Sequence, residues 1–400
     1  MFKFVFDRRN DSRPYPNLAP WVDNPHDSYA GMGDTYPWIA PCRLLLYSAD
    51  HSYPVSISYT DEPIPPGAWY PVGIAWFDFS LDYFGLMSAE VRTLLRIGQL
   101  RVLFYYHEGD NPVHEQARLD ALCAEYVLPV DCYCFVTGNT AADGVDRFVY
   151  FADHELFYWR NSVVWNGQDQ PGCSYHERPR SRRYTALNRF HKWWRATIMA
   201  DLTEHRPIMT QANSYWSYNG VDMGDQYHDN PIQIQSMPGL DRAVTELLAG
   251  CPHSCDQLSS TEHNQHWRLV MQHHDDAYCN LVFETFFDAD GSGGAFLSEK
   301  TFKPIRHAQP FIVFGTPGTL ATLRRLGYKT FDHALDNTYD RITDNTQRYH
   351  AVRSTLEQLD AQDLHAWYIR CRADIEHNQE LFLSSKYPRL AALAEYLDTI

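Results

Sequence analysis

The sequence predicts an α/β fold with two domains, each built on a parallel sheet with helices on its faces. From Val72 onward, short β-branched and aromatic runs alternate with amphipathic stretches, a pattern that is typical of parallel sheets. The chain has 400 residues and 44% hydrophobic content, which is enough for two large cores. We expect an N-terminal domain at residues 1–178 and a C-terminal domain at residues 179–400.

The N-terminal domain begins with an irregular segment. Residues 1–70 are rich in Pro, Asp, Tyr and Trp and predict a loop-rich region with one strand near Arg43–Tyr47. Beyond this region, apolar runs predict four strands and amphipathic stretches predict two helices. The strands are expected at residues 73–79, 101–107, 132–136 and 147–151, and the helices at residues 88–97 and 115–126.

The stretch from Asn280 to Gly315 is the most informative part of the C-terminal domain. Apolar runs at Leu281–Phe283 and Pro310–Phe314 predict two buried strands, and Ser298 between them suits the N-cap of a helix. A strand, an acid-bearing loop, a helix start and a second strand are a common arrangement for holding a nucleotide at the carboxyl edge of a parallel sheet.

The start of this helix is suited to bind an anion. Its free N–H groups and dipole favour negative charge, and Lys300 and Lys303 add positive charge. Pro304 lacks an N–H group, so we expect a kink or a short first segment. An ordinary βαβ unit with solvated lysines would show the same pattern, so both interpretations stay open at this point.

Further elements of the C-terminal domain follow from the same periodicities. Tyr184–Leu187 predicts a strand, and Phe190–Leu202 predicts a helix with apolar residues at four-residue spacing. A helix at Thr319–Leu326, a short strand at Lys329–Phe331 and two or three helices from Asp340 onward complete the domain.

The order of residue types around the predicted helix start is distinctive. The residues concerned are Phe283, Glu284, Phe296, Ser298, Glu299, Lys300 and the run Ala308–Gly315. This order resembles the donor-binding motif of the α1,3-fucosyltransferase-like glycosyltransferases. In that family two glutamates hold the sugar and the ribose of a nucleotide sugar, and a lysine binds the diphosphate. The resemblance implies these roles for Glu284, Glu299 and Lys300.

Two differences from the family pattern lie within this motif. An additional DADGSGGA loop separates Glu284 from Glu299, and Ser298 stands where the family has threonine. Serine keeps the N-cap hydroxyl. The longer loop means that the motif does not identify which sugar the donor carries.

The same resemblance implies a catalytic base and a second phosphate contact. A predicted strand ends in HEGD, which is similar to the family's strand end with a glutamate general base. Glu108 is therefore the candidate base, with Asp110 and His107 as alternatives. The family's diphosphate-binding arginine corresponds to Arg195, with Arg189 as the second candidate. A strand-end turn and a surface ion pair are the plainer interpretations of these residues.

The resemblance implies two Rossmann-like domains facing across a cleft, the GT-B arrangement, with C-terminal helices. The expected reaction is inverting glycosyl transfer from a nucleotide-sugar co-substrate to a hydroxyl of a glycan or other acceptor. Glu108 would take the hydroxyl proton, and Arg195 and Lys300 would stabilise the diphosphate leaving group. No cofactor or metal ion is expected to be obligatory, because cationic side chains can replace a divalent metal here.

The loop at residues 288–299 supports a different interpretation. Positions 1, 3, 5 and 12 of an EF-hand calcium loop would be Asp288, Asp290, Ser292 and Glu299. Phe286 and Phe287 would end the entering helix, and the chain would be a non-catalytic calcium- or sugar-binding interaction protein. Against this, Ala295 occupies position 8, and a flexible Gly/Asp loop is a third interpretation.

Composition bears on partners and location. The formal net charge of −16 is unfavourable for nucleic-acid binding, unless the five arginines of Arg178–Arg189 form a local basic groove rather than a linker. No apolar run approaches about 20 residues and no signal-peptide pattern is present, so we expect a cytoplasmic protein. Nine cysteines favour reduced thiols, although the spacing of Cys251, Cys255, His263 and His266 leaves a zinc site open.

Overall fold

The computed structural model describes residues 1–6, 44, 53–74, 82–165, 172–188, 191–220, 239–255, 269–288 and 292–400. The chain divides into two compact units. Unit 1 comprises Met1–Phe157 and Ser385–Ile400, and unit 2 comprises Tyr158–Ser384. This division differs from the boundary expected at residue 178 and assigns the C-terminal segment to unit 1.

Unit 1 is built on a parallel sheet of six strands within the described residues, in the order β2-β1-β3-β4-β5-β6. The strands are β1 (Phe2–Phe6), β2 (Val55–Tyr59), β3 (Trp69–Ile74), β4 (Arg101–Tyr106), β5 (Tyr133–Thr137) and β6 (Phe148–Tyr150). The order reverses between β1 and β3, as in doubly wound α/β folds. The predicted parallel sheet is therefore confirmed.

Two strands of this sheet lie in the region that the sequence predicts to be loop-rich. β1 and β2 pair in parallel along their full lengths, from Phe2 opposite Val55 to Phe6 opposite Tyr59. Each strand is only five residues long and is followed or preceded by Pro- and Asp-rich sequence, which hides the alternation. The strand expected near Arg43–Tyr47 and the end of the strand expected at 73–79 lie outside the described residues, except Leu44 and residues 73–74.

Four helices with described bounds accompany the sheet along this part of the chain. They are α1 (Tyr83–Leu86), α2 (Ala89–Arg96), α3 (Gln116–Glu125) and α4 (Asp153–Trp159), and the boundary between the units falls within α4. The predicted helix at 88–97 is confirmed as α2, and the hydroxyl of Ser88 caps it by accepting the N–H of Val91 at 3.1 Å. The predicted helix at 115–126 is confirmed as α3, which follows a 3₁₀ turn at Pro112–Glu115.

Unit 2 contains a second parallel sheet, with four described strands in the order β10-β9-β7-β8. The strands are β7 (Arg182–Asn188), β8 (Ser214–Tyr218), β9 (Ala277–Phe283) and β10 (Phe311–Phe314). The chain leaves β7 toward β8 on one side and leaves β9 toward β10 on the other. The strand order therefore reverses between β7 and β9, the position where open α/β sheets bind ligands.

The described helices of unit 2 lie between and after these strands. They are α5 (Trp193–Ala200), α6 (Leu240–Ala249), α7 (Met271–Asp275), α8 (Glu299–Arg306), α9 (Thr319–Arg325), α10 (Asn345–Asp360), α11 (Leu364–Arg370) and α12 (Arg372–Leu383). A π-helical turn at Asp201–His205 continues α5. Among the described residues, no helix is long and apolar enough to cross a membrane.

Two local predictions in unit 2 need correction or refinement. Lys329–Phe331 is not a strand: Lys329 bonds through its backbone to the side chain of Asn378, and Phe331 has a φ of +60° that interrupts extended structure. Pro304 lies inside α8, which ends two residues later at Arg306. The predicted short segment is therefore observed, with the proline inside it.

The basic run at the start of unit 2 is bound by unit 2 itself. Arg178 pairs with Asp275 at 2.9 Å, and Arg183 pairs with Asp360 at 2.8 Å. Arg180 is buried and donates to the carbonyl of His274 at 3.0 Å. These described arginines hold the residues before and within β7 against neighbouring elements. This explains why the unit boundary precedes residue 178; Arg189 lies outside the described residues.

The C-terminal helix α13 (Tyr387–Thr399) belongs to unit 1. Apolar side chains on one face, including Leu390, Leu393 and Leu397, join the core that contains Phe4 of β1. Before and within this helix, Lys386 and Arg389 each pair with the fully buried carboxylate of Glu155 from α4 at 2.9 Å. Burial lowers the pKa of Lys386 and the Glu155 carboxylate opposes that shift.

Two neutral histidines form part of the core of unit 2. His274 of α7 and His307, which ends α8, are both fully buried, and their rings stack at a centroid distance of 4.9 Å. His274 Nδ1 bonds to Gln309 at 2.9 Å, and His307 Nδ1 accepts the N–H of Cys173 at 3.2 Å. Burial lowers the pKa of His274 to about 3, and burial followed by repulsion from His274 lowers that of His307 well below its usual value.

This pair predicts acid sensitivity. The unfolded chain binds protons on these histidines below pH about 6.5 while the folded protein does not, so stability is present above that pH and falls as the pH drops toward the folded pKa values. Between pH 7.5 and 5.5 we expect each histidine to remove about 1.4 kcal/mol from the free energy of unfolding, measured by urea titration. His274→Asn should reduce this pH slope, whereas His350→Asn, at an exposed position of α10, should not. An unchanged slope in His274→Asn would contradict the neutral buried pair.

Candidate functional site

The candidate site lies at the carboxyl edge of the unit 2 sheet, where the strand order reverses. β7 and β9 are neighbours in the sheet, with Thr185 opposite Asn280. α5 follows β7, and α8 follows the loop after β9, so both helices begin near this edge. Ligands of open α/β folds bind outside the carboxyl ends of the strands at such a reversal.

The carboxylate of Glu284 organises this edge. Glu284 follows β9 directly and is 0% exposed. Its oxygens accept the N–H of Ser298 at 3.1 Å, the hydroxyl of Ser298 at 2.6 Å and the N–H of Thr285 at 3.0 Å, together with the hydroxyl of Thr301. Because two of these donor residues are at the start of α8, the carboxylate fixes the helix start to the end of β9.

Ser298 acts as the predicted N-cap. Its hydroxyl donates to Glu284 and accepts the N–H of Lys300 at 3.3 Å, so one oxygen serves both contacts. Thr301, three residues further along, presents its hydroxyl to the same carboxylate. Sequence reasoning missed Thr301, although residues three apart on a helix share a face and the spacing from Ser298 is a usable signal.

Lys300 in the first turn of α8 and Lys303 in its last turn are more accessible than the neighbouring Glu299. The side chains of Lys300 and Lys303 are 30% and 21% exposed, against 9% for Glu299. Lys300 Nζ lies 3.2 Å from Glu299 Oε1 and 3.3 Å from Ser298 Oγ, and Lys303 Nζ lies 3.9 Å from Glu299 Oε1. Lys300 is therefore held beside the positive end of the α8 dipole, and both ammonium groups lie near Glu299.

Arg195 and Phe296 lie beneath this surface rather than in it. Arg195 of α5 is buried, and its Nη2 donates to the carbonyl of Glu284 at 2.5 Å and to that of Phe283 at 3.4 Å. Phe296 is buried as well, with its ring edge toward Phe286 at a centroid distance of 6.0 Å. In this conformation both residues support the backbone on which Glu284 and Ser298 sit.

The loop before α8 lacks the entering helix of an EF-hand. Phe286 and Phe287 are neither helical nor in a strand, so that part of the calcium interpretation is wrong. Asp288 Oδ1 accepts from Asn345 at 2.9 Å, and the hydroxyl of Ser292 donates within the loop to the carbonyl of Asp288 or Gly294. Asp290 lies outside the described residues, as do His263 and His266 of the possible zinc site. Within the described residues, no group of three or more His, Cys, Asp or Glu side chains is arranged to hold a metal ion.

A buried arginine that sequence reasoning missed joins the loops after β9 and β10. Arg348 of α10 donates from Nε to the carbonyl of Gly315 at 3.1 Å and from Nη2 to the carbonyl of Phe287. Its Nη1 donates to the carbonyl of Ile342 at 2.8 Å, and burial lowers its pKa to about 10. Arg348 is 61 residues from Phe287 in sequence, and no local pattern marks it.

The predicted catalytic base, Glu108, lies in unit 1. Glu108 follows β4 at the carboxyl edge of that sheet, and its side chain is 33% exposed. His107 is buried, and its Nε2 lies 3.3 Å from Glu108 Oε1. Asp110 accepts the hydroxyl of Tyr106 at 2.5 Å, and the amide of Asn139 donates to the carbonyl of Gly109 at 2.7 Å. The turn that carries Glu108 is thus fixed on both sides.

Of the predicted donor-site residues, unit 2 brings five into one network, namely Arg195, Glu284, Ser298, Glu299 and Lys300. Phe296 packs beside them, Arg189 lies outside the described residues, and Glu108 belongs to the other unit. Comparison with protein-family models, curated proteins and solved structures finds no match to this chain.

The Glu284 network predicts a specific stability change. Glu284→Gln places an amide NH₂ against donors that need an acceptor, so we expect the free energy of unfolding in urea to fall by about 2–3 kcal/mol. Glu246→Gln is the matched control, because Glu246 is an exposed residue of α6 and its change should stay within about 0.5 kcal/mol. A Glu284→Gln protein as stable as this control would contradict the proposed role of the carboxylate.

Proposed function

We propose that this protein is an inverting glycosyltransferase and that its nucleotide-sugar donor binds at the carboxyl edge of the unit 2 sheet. One observation carries the proposal: the start of α8 is fixed by the buried Glu284 carboxylate, and Lys300 in its first turn and Lys303 one turn further along have partly exposed side chains. This start lies after β9, beside the reversal of strand order, where a nucleotide diphosphate is most often held in α/β folds.

The chemistry of this edge suits a diphosphate leaving group. As the bond to the sugar breaks, negative charge grows on the diphosphate, and fixed cations and a helix N-terminus stabilise that charge without reorganisation. Lys300 is the proposed direct contact, with Lys303 beside it. Arg195 and Glu284 are buried, so we assign them the task of holding the helix start in place. Glu299, which both lysines approach, is the proposed contact to donor hydroxyl groups.

Glu108 is the proposed general base. It lies at the carboxyl edge of the unit 1 sheet, is partly exposed, and has His107 beside it to orient one oxygen. A carboxylate in this position can accept the proton of an acceptor hydroxyl as that hydroxyl attacks the anomeric carbon. The proposal requires Glu108 of unit 1 and the donor residues of unit 2 to act on one pair of substrates, as in the GT-B arrangement of two Rossmann-like domains.

Donor binding tests this proposal without knowledge of the acceptor. In a thermal-shift screen against GDP-, UDP-, ADP-, CMP- and dTDP-sugars, we expect one nucleotide family to stabilise the protein. A ligand at 100 times its Kd adds about 2.7 kcal/mol. Lys300→Ala should weaken binding of that donor by at least about tenfold, because it removes a charge-assisted contact to the diphosphate. Lys329→Ala, an exposed lysine elsewhere in unit 2, should bind as the wild type does.

Two results of this screen would count against the transferase. Stabilisation by calcium chloride alone would favour an interaction protein that uses the 288–299 loop. Equal donor affinity in Lys300→Ala and Lys329→Ala would place the diphosphate elsewhere.

Turnover tests the role of Glu108 separately. With the donor from the screen and a panel of hydroxyl-bearing acceptors, Glu108→Gln should lower kcat by about 100-fold or more and leave the donor Kd unchanged. Glu125→Gln, an exposed residue of α3, is the control and should keep kcat. We expect activity to persist in EDTA. Strict loss of activity in chelator would contradict metal-independent transfer, and full activity of Glu108→Gln would exclude Glu108 as the base.

A further inference from the structure

Two cysteines of unit 1 lie in contact beneath a surface loop. Cys123 is in α3, Cys132 immediately precedes β5, and their sulfur atoms are 3.7 Å apart. Both side chains are buried, at 1% and 2% exposure, and both thiols are free. A disulfide needs a sulfur separation of about 2 Å, so each sulfur would have to move by less than the length of one bond.

The backbone on both sides keeps the two sulfur atoms opposed. The carbonyl of Cys123 accepts the N–H of Leu128 at 2.8 Å, which closes the end of α3. The carbonyl of Cys132 accepts the N–H of Val102 at 2.7 Å, which ties it to β4, and its own N–H donates to Pro129 at 3.1 Å. Both cysteines therefore lie on hydrogen-bonded backbone with their sulfur atoms in contact.

The two thiols differ in reactivity. Their mutual hydrogen bond lowers the pKa of Cys123 and raises that of Cys132, and the Arg147 guanidinium acts on both thiols in the direction that favours the thiolate. Arg147 is held in place by the Asp120 carboxylate at 2.5 Å and by the face of the Tyr133 ring at 4.7 Å. We assign the attack to Cys123, whose pKa is lowered, and the resolving step to Cys132.

A small oxidant would reach the buried pair by local opening of the loop at residues 126–131. Val127 and Val130 in this loop are 71% and 54% exposed, whereas Leu128 between them is buried. Val127 also has a φ of +54°, which is unfavourable for a β-branched residue. Segments with few buried contacts and local strain open more readily than the rest of a fold.

We propose that Cys123 and Cys132 are an oxidation site that closes to an intrachain disulfide when the protein meets hydrogen peroxide or another hydroperoxide. The Cys123 thiolate attacks one peroxide oxygen, the O–O bond breaks, and Cys123 becomes a sulfenic acid as hydroxide leaves. The Cys132 sulfur then attacks the sulfenic sulfur, and the S–O bond breaks with loss of water. In total, two thiols and one hydrogen peroxide give one disulfide and two waters, so sulfur is oxidised and peroxide oxygen is reduced.

Peptide mapping without reductant tests this site. The folded protein is treated with hydrogen peroxide, its remaining thiols are alkylated under denaturing conditions, and it is digested with Glu-C protease and chymotrypsin. Cleavage after Glu125 separates the two cysteines, and cleavage after Tyr133 separates Cys132 from Cys134. We expect a linked peptide that contains Cys123 and Cys132, about 2 Da lighter than its two reduced parts, and its loss on reduction. The melting temperature should rise on oxidation and return on reduction, because the cross-link closes a short loop in the unfolded chain.

Matched serine variants identify the partners. Cys123→Ser and Cys132→Ser should both lack the linked peptide, and Cys132→Ser should instead trap a sulfenic acid at Cys123 that reacts with dimedone. Cys134→Ser is the control and should keep the link, because Cys134 packs in a different core from Cys132. Sulfinic acid at Cys123 without a link in the wild type, or a link to Cys134 instead of Cys132, would overturn the proposal. The wild-type map decides this even if a serine variant fails to fold.

Discussion

The buried carboxylate of Glu284 is the contact on which the candidate site depends. A carboxylate without solvent is tolerated only where hydrogen bonds replace the lost water, and four donor groups from Thr285, Ser298 and Thr301 do so here. These donors come from both ends of the loop after β9. The hydrogen bonds to the Glu284 carboxylate therefore also hold the two ends of the loop together. The position of Lys300 follows from that, since it is the second residue of the helix that the carboxylate holds.

A second buried charged side chain, that of Arg348, also supports the backbone at this edge. The Arg348 guanidinium donates to carbonyls after both β9 and β10, so the two strand ends cannot separate without exposing unsatisfied groups. Sites that bind or transform ligands need such support, because small displacements of the contacting groups weaken them strongly. At the candidate edge, Lys300 and Lys303 are partly exposed, and the supporting residues Glu284 and Arg348 are buried.

Local sequence was sufficient to predict the elements that form this edge. Short apolar runs identified β9 and β10, and a capping hydroxyl identified the start of α8, since both signals depend on neighbours along the chain. Periodicity failed for β1 and β2, which lie next to irregular sequence that is rich in Pro and Asp. It failed again at Lys329–Phe331, where a distant asparagine takes the backbone hydrogen bonds that a strand partner would need.

The sequence by itself determined that two acids and two lysines stand at a strand end and a helix start. Only the tertiary structure decided which partners each acid has, since Glu284 and Glu299 are both buried. Glu284 and Glu299 look alike in sequence, yet one is enclosed by hydroxyl and amide donors while the other pairs with two partly exposed lysines. Burial and hydrogen-bond partners depend on residues such as Arg195 and Arg348, which approach from other helices, so no local pattern can specify them.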